Sequence, residues 1–200
     1  MLNNKMVLVS LSLVMFMLVV SGCSVLQTQS SGGGVSYFPC NQGYTWTYSS
    51  NDGYTQITSV EGSTSIGSIT VQKISSKYMS TSNSTMTSDA YYRVDGTGVY
   101  YHGSPSNYYS TGMQMFAFPL EVGKTWMETT SGANSYKIMV TAKENVTVPA
   151  GTFDCYKISM ITKYGTIETS SNVWLGDNVG IVKTNSSTST IESVLQSKNF

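Results

Sequence analysis

Asn145–Ser159, NVTVPAGTFDCYKIS, is the stretch that decides the fold. Val146, Thr147 and Val148 favour extended backbone. Pro149-Ala150-Gly151 then interrupts the run, because Pro has no N–H to donate and Gly accepts unusual dihedrals. A second β-rich run, Thr152–Thr162, carries Phe153, Cys155, Tyr156, Ile158 and Ile161. Two such runs joined by a short turn predict adjacent antiparallel strands. A fainter copy of the pattern lies at Gly67–Ser75.

The rest of the chain is of the same kind. Its 200 residues suffice for one or at most two domains. Only 11% are charged, well under the usual quarter. Ser, Thr, Asn, Gly and fourteen Tyr fill the polar positions, which favours strands over long surface helices. Formal charge is zero, and loss of Lys5 with a leader would leave about −1. Neither a basic patch for nucleic acid nor an acidic run for a basic partner is present.

The N-terminus reads as an address. Met1–Lys5 carries one positive charge, and Val7–Val20 is a run of 14 residues broken only by Ser10 and Ser12. As a helix it would span about 21 Å, short of a bilayer core of about 30 Å, so residues 1–22 suit a signal peptide. Val20-Ser21-Gly22-Cys23 resembles a bacterial lipobox. That resemblance implies lipidation of Cys23, cleavage before it and anchoring in a membrane by two or more acyl chains. Ser24 rather than Asp follows, which favours the outer membrane in a bacterium that has one. Residues 23–36 read as the anchor and a Ser/Gln/Gly tether reaching about 20 Å, and residues 37–200 as a single β-domain.

That domain reads as two related halves, about 37–115 and 116–200. Pro39-Cys40-Asn41-Gln42-Gly43-Tyr44-Thr45-Trp46 is echoed 80 residues on by Pro119-Leu120-Glu121-Val122-Gly123-Lys124-Thr125-Trp126. Gly67–Ser75 is echoed at 84 by Gly151–Ser159, and Tyr92–Val99 at 82 by Trp174–Ile181. Strands are predicted near 43–49, 54–60, 69–79, 90–94 and 99–102. In the second half they fall near 125–129, 136–142, 153–162, 166–174, 181–184 and 190–195. Turn residues separate them, Asp95-Gly96 giving the strongest hairpin signal. Shared apolar positions 69/153, 71/155 and 74/158 end in a three-residue step, which requires a bulge or a strand covered on both faces. The expectation is an all-β antiparallel meander forming a strongly curved sheet, a half-barrel or open barrel.

PCNQGYTWTYS, the VPAGTF segment and WLGDNVGIVKT resemble a group of bacterial exported lipoproteins. Those proteins share a Gly-x-x-Trp-x-Tyr opening motif, a VPAGTF segment and a late Trp–Gly-Val/Ile-Val-Lys segment. The likeness covers most of Tyr37–Thr184 and is similar in fold to half-barrel carriers of lipoproteins and lipids. No motif in it is catalytic, and it implies no particular ligand. Cys40 stands where such motifs often carry an aliphatic residue.

Motifs for catalysis are missing: there is no Gly-x-Ser-x-Gly, His-Glu-x-x-His, Cys-x-x-Cys or phosphate-binding Gly loop. The single histidine, His102, reads as a strand-end residue rather than a base or metal ligand. Asp95-Gly96 and Asp177-Asn178 read as hairpin turns rather than calcium loops. Trp46, Trp126 and Trp174 read as core, with Trp46 and Trp126 equivalent. Tyr91-Tyr92, Tyr100-Tyr101 and Tyr108-Tyr109 should each place one ring in and one out. With Cys23 lipidated, Cys40 and Cys155 are left to pair in an oxidising compartment. Such a bond would match a Leu120–Val71 contact in the other half; the alternative is two buried thiols.

The expected function is therefore non-enzymatic, without cofactor or metal: a lipid-anchored envelope protein binding a lipidic or lipoprotein ligand or a protein partner. The alternative is a structural or adhesive surface lipoprotein. Cys23→Ala should leave the chain uncleaved or release it from membranes, which fractionation with anti-tag detection would show; a processed, membrane-bound variant would refute the lipobox.

Overall fold

The computed structural model describes residues 35–82, 84–129, 134–186 and 189–200. The leader, Cys23 and most of the tether lie outside the described residues. A helical turn at Val35–Tyr37 precedes twelve strands. The first half holds β1 Thr45–Ser50, β2 Thr55–Ile66, β3 Ile69–Met79, β4 Thr85–Asp95, β5 Gly98–Ser104 and β6 Asn107–Ala117. The second holds β7 Thr125–Thr129, β8 Asn134–Val148, β9 Gly151–Tyr164, β10 Ile167–Gly176, β11 Gly180–Ser186 and β12 Glu192–Lys198.

All twelve form one antiparallel sheet in the order β6-β5-β4-β3-β2-β1-β12-β11-β10-β9-β8-β7. Each half is a meander, and the first strand pairs with the last. The sheet curls until β6 and β7, consecutive in the chain, are its two free edges. The result is a nearly closed barrel with one unsealed seam, the curved all-β meander that the sequence predicts.

The two halves repeat each other in detail. All eleven residue pairs of the β2–β3 ladder recur in β8–β9, shifted by 80 on the first strand and 84 on the second. Thus Val60↔Ile74 answers to Val140↔Ile158, and Thr64↔Val71 to Glu144↔Cys155. The four-residue difference is hairpin length: β8–β9 adds the pairs Thr147↔Thr152 and Val148↔Gly151 before its turn. Gly43 N donates to Val60 O at 2.9 Å and Gly123 N to Val140 O at 2.8 Å. Both glycines have positive φ, 87° and 93°, which a side chain would strain. The predicted bulge exists, but on the facing strand, between Val60 and Gly62 and between Val140 and Ala142. Val71 and Ile74 are both buried on opposite faces of β3, so the strand is covered on both sides at that level.

One echo shifts by a residue. Ile74 pairs with Ala90 and Ile158 with Val173, an offset of 83 between β4 and β10. Trp174 therefore matches Tyr91, not Tyr92. Strand β6 is absent from the sequence reading, because Asn107–Gly112 offers Ser, Asn and Gly where an apolar alternation would mark a strand.

Alternation sends Trp46, Tyr48, Val60, Ile74, Tyr92, Ile138, Val140 and Ile158 into one continuous apolar core. Phe38 and Cys40, ahead of β1, join it, as do Val146 and Val148 on the long β8–β9 hairpin. That hairpin reaches across to β12, where Ala150 N donates to Leu195 O at 3.2 Å. Trp46 is fully buried and donates its indole N–H to Val179 O at 2.7 Å. Trp126 occupies the equivalent ladder position but is only half-buried. β12 flanks β1, whereas β7 is an edge.

Truncation should register this difference. Trp46→Ala should cost about 3–5 kcal/mol and Trp126→Ala about 1–2 kcal/mol, the second removing area already partly in water. Urea unfolding of both variants would read it, equal losses contradicting the edge position of Trp126.

Candidate functional site

By the repeat, β7 corresponds to β1 and β6 to β12. The β1–β12 junction is sealed from Trp46↔Lys198 to Ser50↔Ser193. The corresponding β6–β7 junction has no ladder. What spans it is a side chain: Trp126 Nε1 donates to Gln114 O at 3.4 Å. β7 spans five described residues and β6 eleven, with Asn107–Gly112 forming the far end of β6.

The seam has unlike faces. Met113 and Met115 lie on β6, with Tyr101 opposite Met113 on β5. Trp126 on β7 and Met160 on β9 pack against the same core. On the outer lip the Gln114 amide donates to the Tyr100 hydroxyl at 3.1 Å and to Thr97 O at 3.2 Å. The Arg93 guanidinium lies 4.1 Å from the Tyr100 ring centroid and pairs with Asp95. Partial burial alone would raise the Asp95 carboxyl, but hydrogen bonds from Thr97 and the Arg93 charge hold it below the usual range. Asp95 thus acts as a turn residue, as its sequence suggests.

A chain of rings runs from the core to the lower edge of β6. Phe38–Tyr92, Tyr92–Tyr101 and Tyr101–Tyr109 centroids lie 6.0, 5.5 and 6.4 Å apart. Burial pushes the Tyr92 phenol well above its ordinary pKa and raises Tyr101 as well, so both rings stay neutral. Tyr92 faces in beside half-buried Tyr91, and Tyr101 and Tyr100 point to opposite faces. Tyr108 and Tyr109 depart from the one-in, one-out rule: both are about half exposed, at the far end of β6.

His102 lies under this end of β6, on β5, and is 1% exposed. Its Nδ1 is 2.8 Å from Tyr109 O, which places a proton on Nδ1. Nε2 has no hydrogen-bond partner among the described residues. A Cβ at position 112 would come within 2.5 Å of Nε2, so Gly112 is what lets β6 close over the ring. Among the described residues no group of three or more His, Cys, Asp or Glu could hold a metal ion.

Other predicted positions fall elsewhere. Cys40 and Cys155 are buried, and both are free thiols. The expected bond is not formed, although the segment that carries Cys40 reaches β9, where the Tyr37 and Tyr156 ring centroids lie 5.6 Å apart, and both thiols belong to the same core. Leu120 joins the continuous core, whereas Val71 is buried outside it. Trp174 is buried beneath Lys157 and Lys183, whose Nζ atoms lie 5.0 and 5.1 Å from its ring, and it donates to Glu144 at 2.6 Å. Five large apolar side chains, Tyr54, Met86, Tyr108, Tyr109 and Ile167, are exposed at the barrel end away from the N-terminal segment.

A family model described as DUF3108-like matches residues 70–198. The chain belongs to the DUF3108-like family. This span takes in all strands but β1 and β2, and hence both edges of the seam. Two solved structures share the fold. One is a Bacteroides fragilis protein provisionally described as exported and of YmcC-like fold. It is 16% identical with a TM-score of 0.55, covering 82% of this chain and 98% of its own. The other, from Parabacteroides distasonis, is provisionally described as a lipoprotein. It is 17% identical with a TM-score of 0.51, covering 82% and 98%. No curated protein matches the chain significantly. At these identities the likeness concerns fold, and it places the DUF3108-like chain on the same strand framework as the two proteins.

Burial, with Asp154 and Glu144 nearby, pushes the Cys155 thiol up to about 12. Because the thiolate is the reactive form, Cys155 should resist iodoacetamide at pH 8 in the folded protein and react once urea exposes it. Reactivity in the folded protein should rise only as pH nears about 12. Rapid native labelling of Cys155, located by peptide mapping, would contradict its burial.

Proposed function

We propose that this DUF3108-like chain is a non-catalytic, lipid-anchored protein of the bacterial envelope that binds an envelope component at the β6–β7 seam. One observation carries the reading: a junction that the fold seals at β1–β12 is left open at its repeat-related counterpart. An uncapped, partly apolar opening is where a barrel of this kind meets a ligand without dismantling its sheet. The lipobox at Val20–Cys23 and the descriptions of the two fold relatives support the address, with Ser24 favouring the outer membrane. The ligand is lipidic, a lipoprotein or a protein segment.

The exposed Tyr54, Met86, Tyr108, Tyr109 and Ile167 favour a second reading, an adhesive or structural surface lipoprotein that docks by this rim.

A photo-crosslinking side chain at Gln114, at Val194 on the sealed junction and at Met86 on the rim distinguishes them. Binding at the seam predicts adducts in cells from position 114 and none from 194. Adducts from position 86 alone would favour the adhesive reading, and none from 114 would overturn the seam.

A further inference from the structure

We propose that the seam is a lateral gate for one alkyl chain of an amphiphile. The chain passes between β6 and β7 to lie against Met113, Met115, Trp126 and Met160, while the polar head stays outside at Gln114 and Tyr100. This rests on the seam-binding reading and goes further, naming the ligand class and the moving part.

Three features of the seam select an alkyl chain. The first is width. The Trp126 indole itself reaches the carbonyl of the facing strand. An added β-strand would need about two ladder spacings, roughly 10 Å, between β6 and β7, with the indole expelled. An alkyl chain needs only the indole to swing aside, giving up one long hydrogen bond of 3.4 Å.

The second is the lining. Met113, Met115 and Met160 are unbranched thioethers that can repack around a flexible chain, which β-branched residues in the same places could not. The equivalent ladder pair in the other half, Thr58↔Ser76 against Ile138↔Met160, carries hydroxyls bonded to each other at 3.1 Å. Apolar adaptability is therefore concentrated on the seam side of the barrel. Among the described residues the buried polar side chains are Gln56, Thr58, Gln72, Ser76 and His102, with no Lys, Arg, Asp or Glu, and burial raises the Tyr92 and Tyr101 phenols. A charged ligand would find no buried opposite charge to replace its water.

The third is amphipathy across the lip. Gln114 separates two inward methionines on β6 and turns outward to Tyr100, with Arg93 on the Tyr100 ring. A molecule lodged with its tail inside and its head outside meets matching chemistry on both sides of the strand.

The repeat supplies an internal control. The mature chain with Cys23→Ser, which carries no acyl chain of its own, would be followed by amide hydrogen exchange with and without palmitate below its micelle concentration. Amides of 113–117 and 125–129 should exchange at least tenfold faster than those of 46–50 and 193–198. Palmitate should slow the first pair severalfold and leave the second unchanged. Trp126→Phe keeps a ring and removes the donor, so it should speed seam exchange further while the β1–β12 amides keep the wild-type rate. Seam amides as protected as the sealed junction, or indifferent to palmitate, would overturn the gate. Wild-type exchange in Trp126→Phe would overturn the indole as its latch. Crosslinks from Gln114 to a protein, with no palmitate effect, would keep the seam as a binding place and sink the alkyl-chain proposal.

Discussion

The pairing of β1 with β12 is the constraint on which this architecture depends. It joins residues about 150 positions apart, Trp46 with Lys198 and Ser50 with Ser193. Without it the chain would be two six-stranded meanders with four open edges. Two side chains reinforce the join beyond its own ladder. Trp46 donates to Val179 O, and Tyr48 donates to Ile181 O at 3.0 Å, both reaching past β12. Because these contacts span more than 130 residues, they carry a large loop-closure cost, and they decide between one barrel and two sheets.

The same constraint explains why the halves are alike in ladder and unlike in use. The β2–β3 and β8–β9 hairpins share every pair of the shorter ladder, and the glycines ahead of β1 and β7 make the same bond to Val60 and Val140. Only one of the two inter-half junctions is required to hold the sheet together. Once β1–β12 is sealed, β6 and β7 remain neighbours through their own short connection, and a ladder between them adds no topology. Among the described residues, an indole is what bridges that junction. Interior chemistry follows suit, with hydroxyls at Thr58 and Ser76 far from the seam and Ile138 and Met160 near it.

Much of this is legible in the residues. The turn at Pro149-Ala150, the echoed Gly–Thr–Trp frame and the β-branched runs place eleven of the twelve strands, since each rests on local period and punctuation. What escapes is what depends on neighbours. β6 owes its strand character to β5 and to the buried His102 that holds Tyr109 O, not to its own Ser, Thr and Gly. Trp126 has the sequence frame of Trp46 but not its burial, because a strand cannot encode whether its far edge will be covered. Cys40 and Cys155 share the core as free thiols, and no local signal in the sequence tells two buried thiols from a bond between them. The seam itself has a faint local signal, Met113 and Met115 two apart beside Gln114, and no motif.

An open edge needs protection, and β6 is protected without charge. β6 carries no Lys, Glu, Asp, Arg or Pro along its eleven residues, the devices that usually discourage edge-to-edge pairing. Its register against β5 instead slips between Val99 and Tyr100 and again between Tyr101 and Gly103. The irregularity turns the Tyr109 carbonyl toward His102 and draws Gly112 over the ring, so this stretch cannot present a flat row of donors and acceptors to another strand. Higher up, the Trp126 indole occupies the Gln114 carbonyl. A charged edge would repel other strands equally well, but would set ions at the mouth of an apolar interior. Bulge, buried imidazole and indole blunt the edge and leave its inner face uncharged, which is the combination that a neutral chain entering from the side requires.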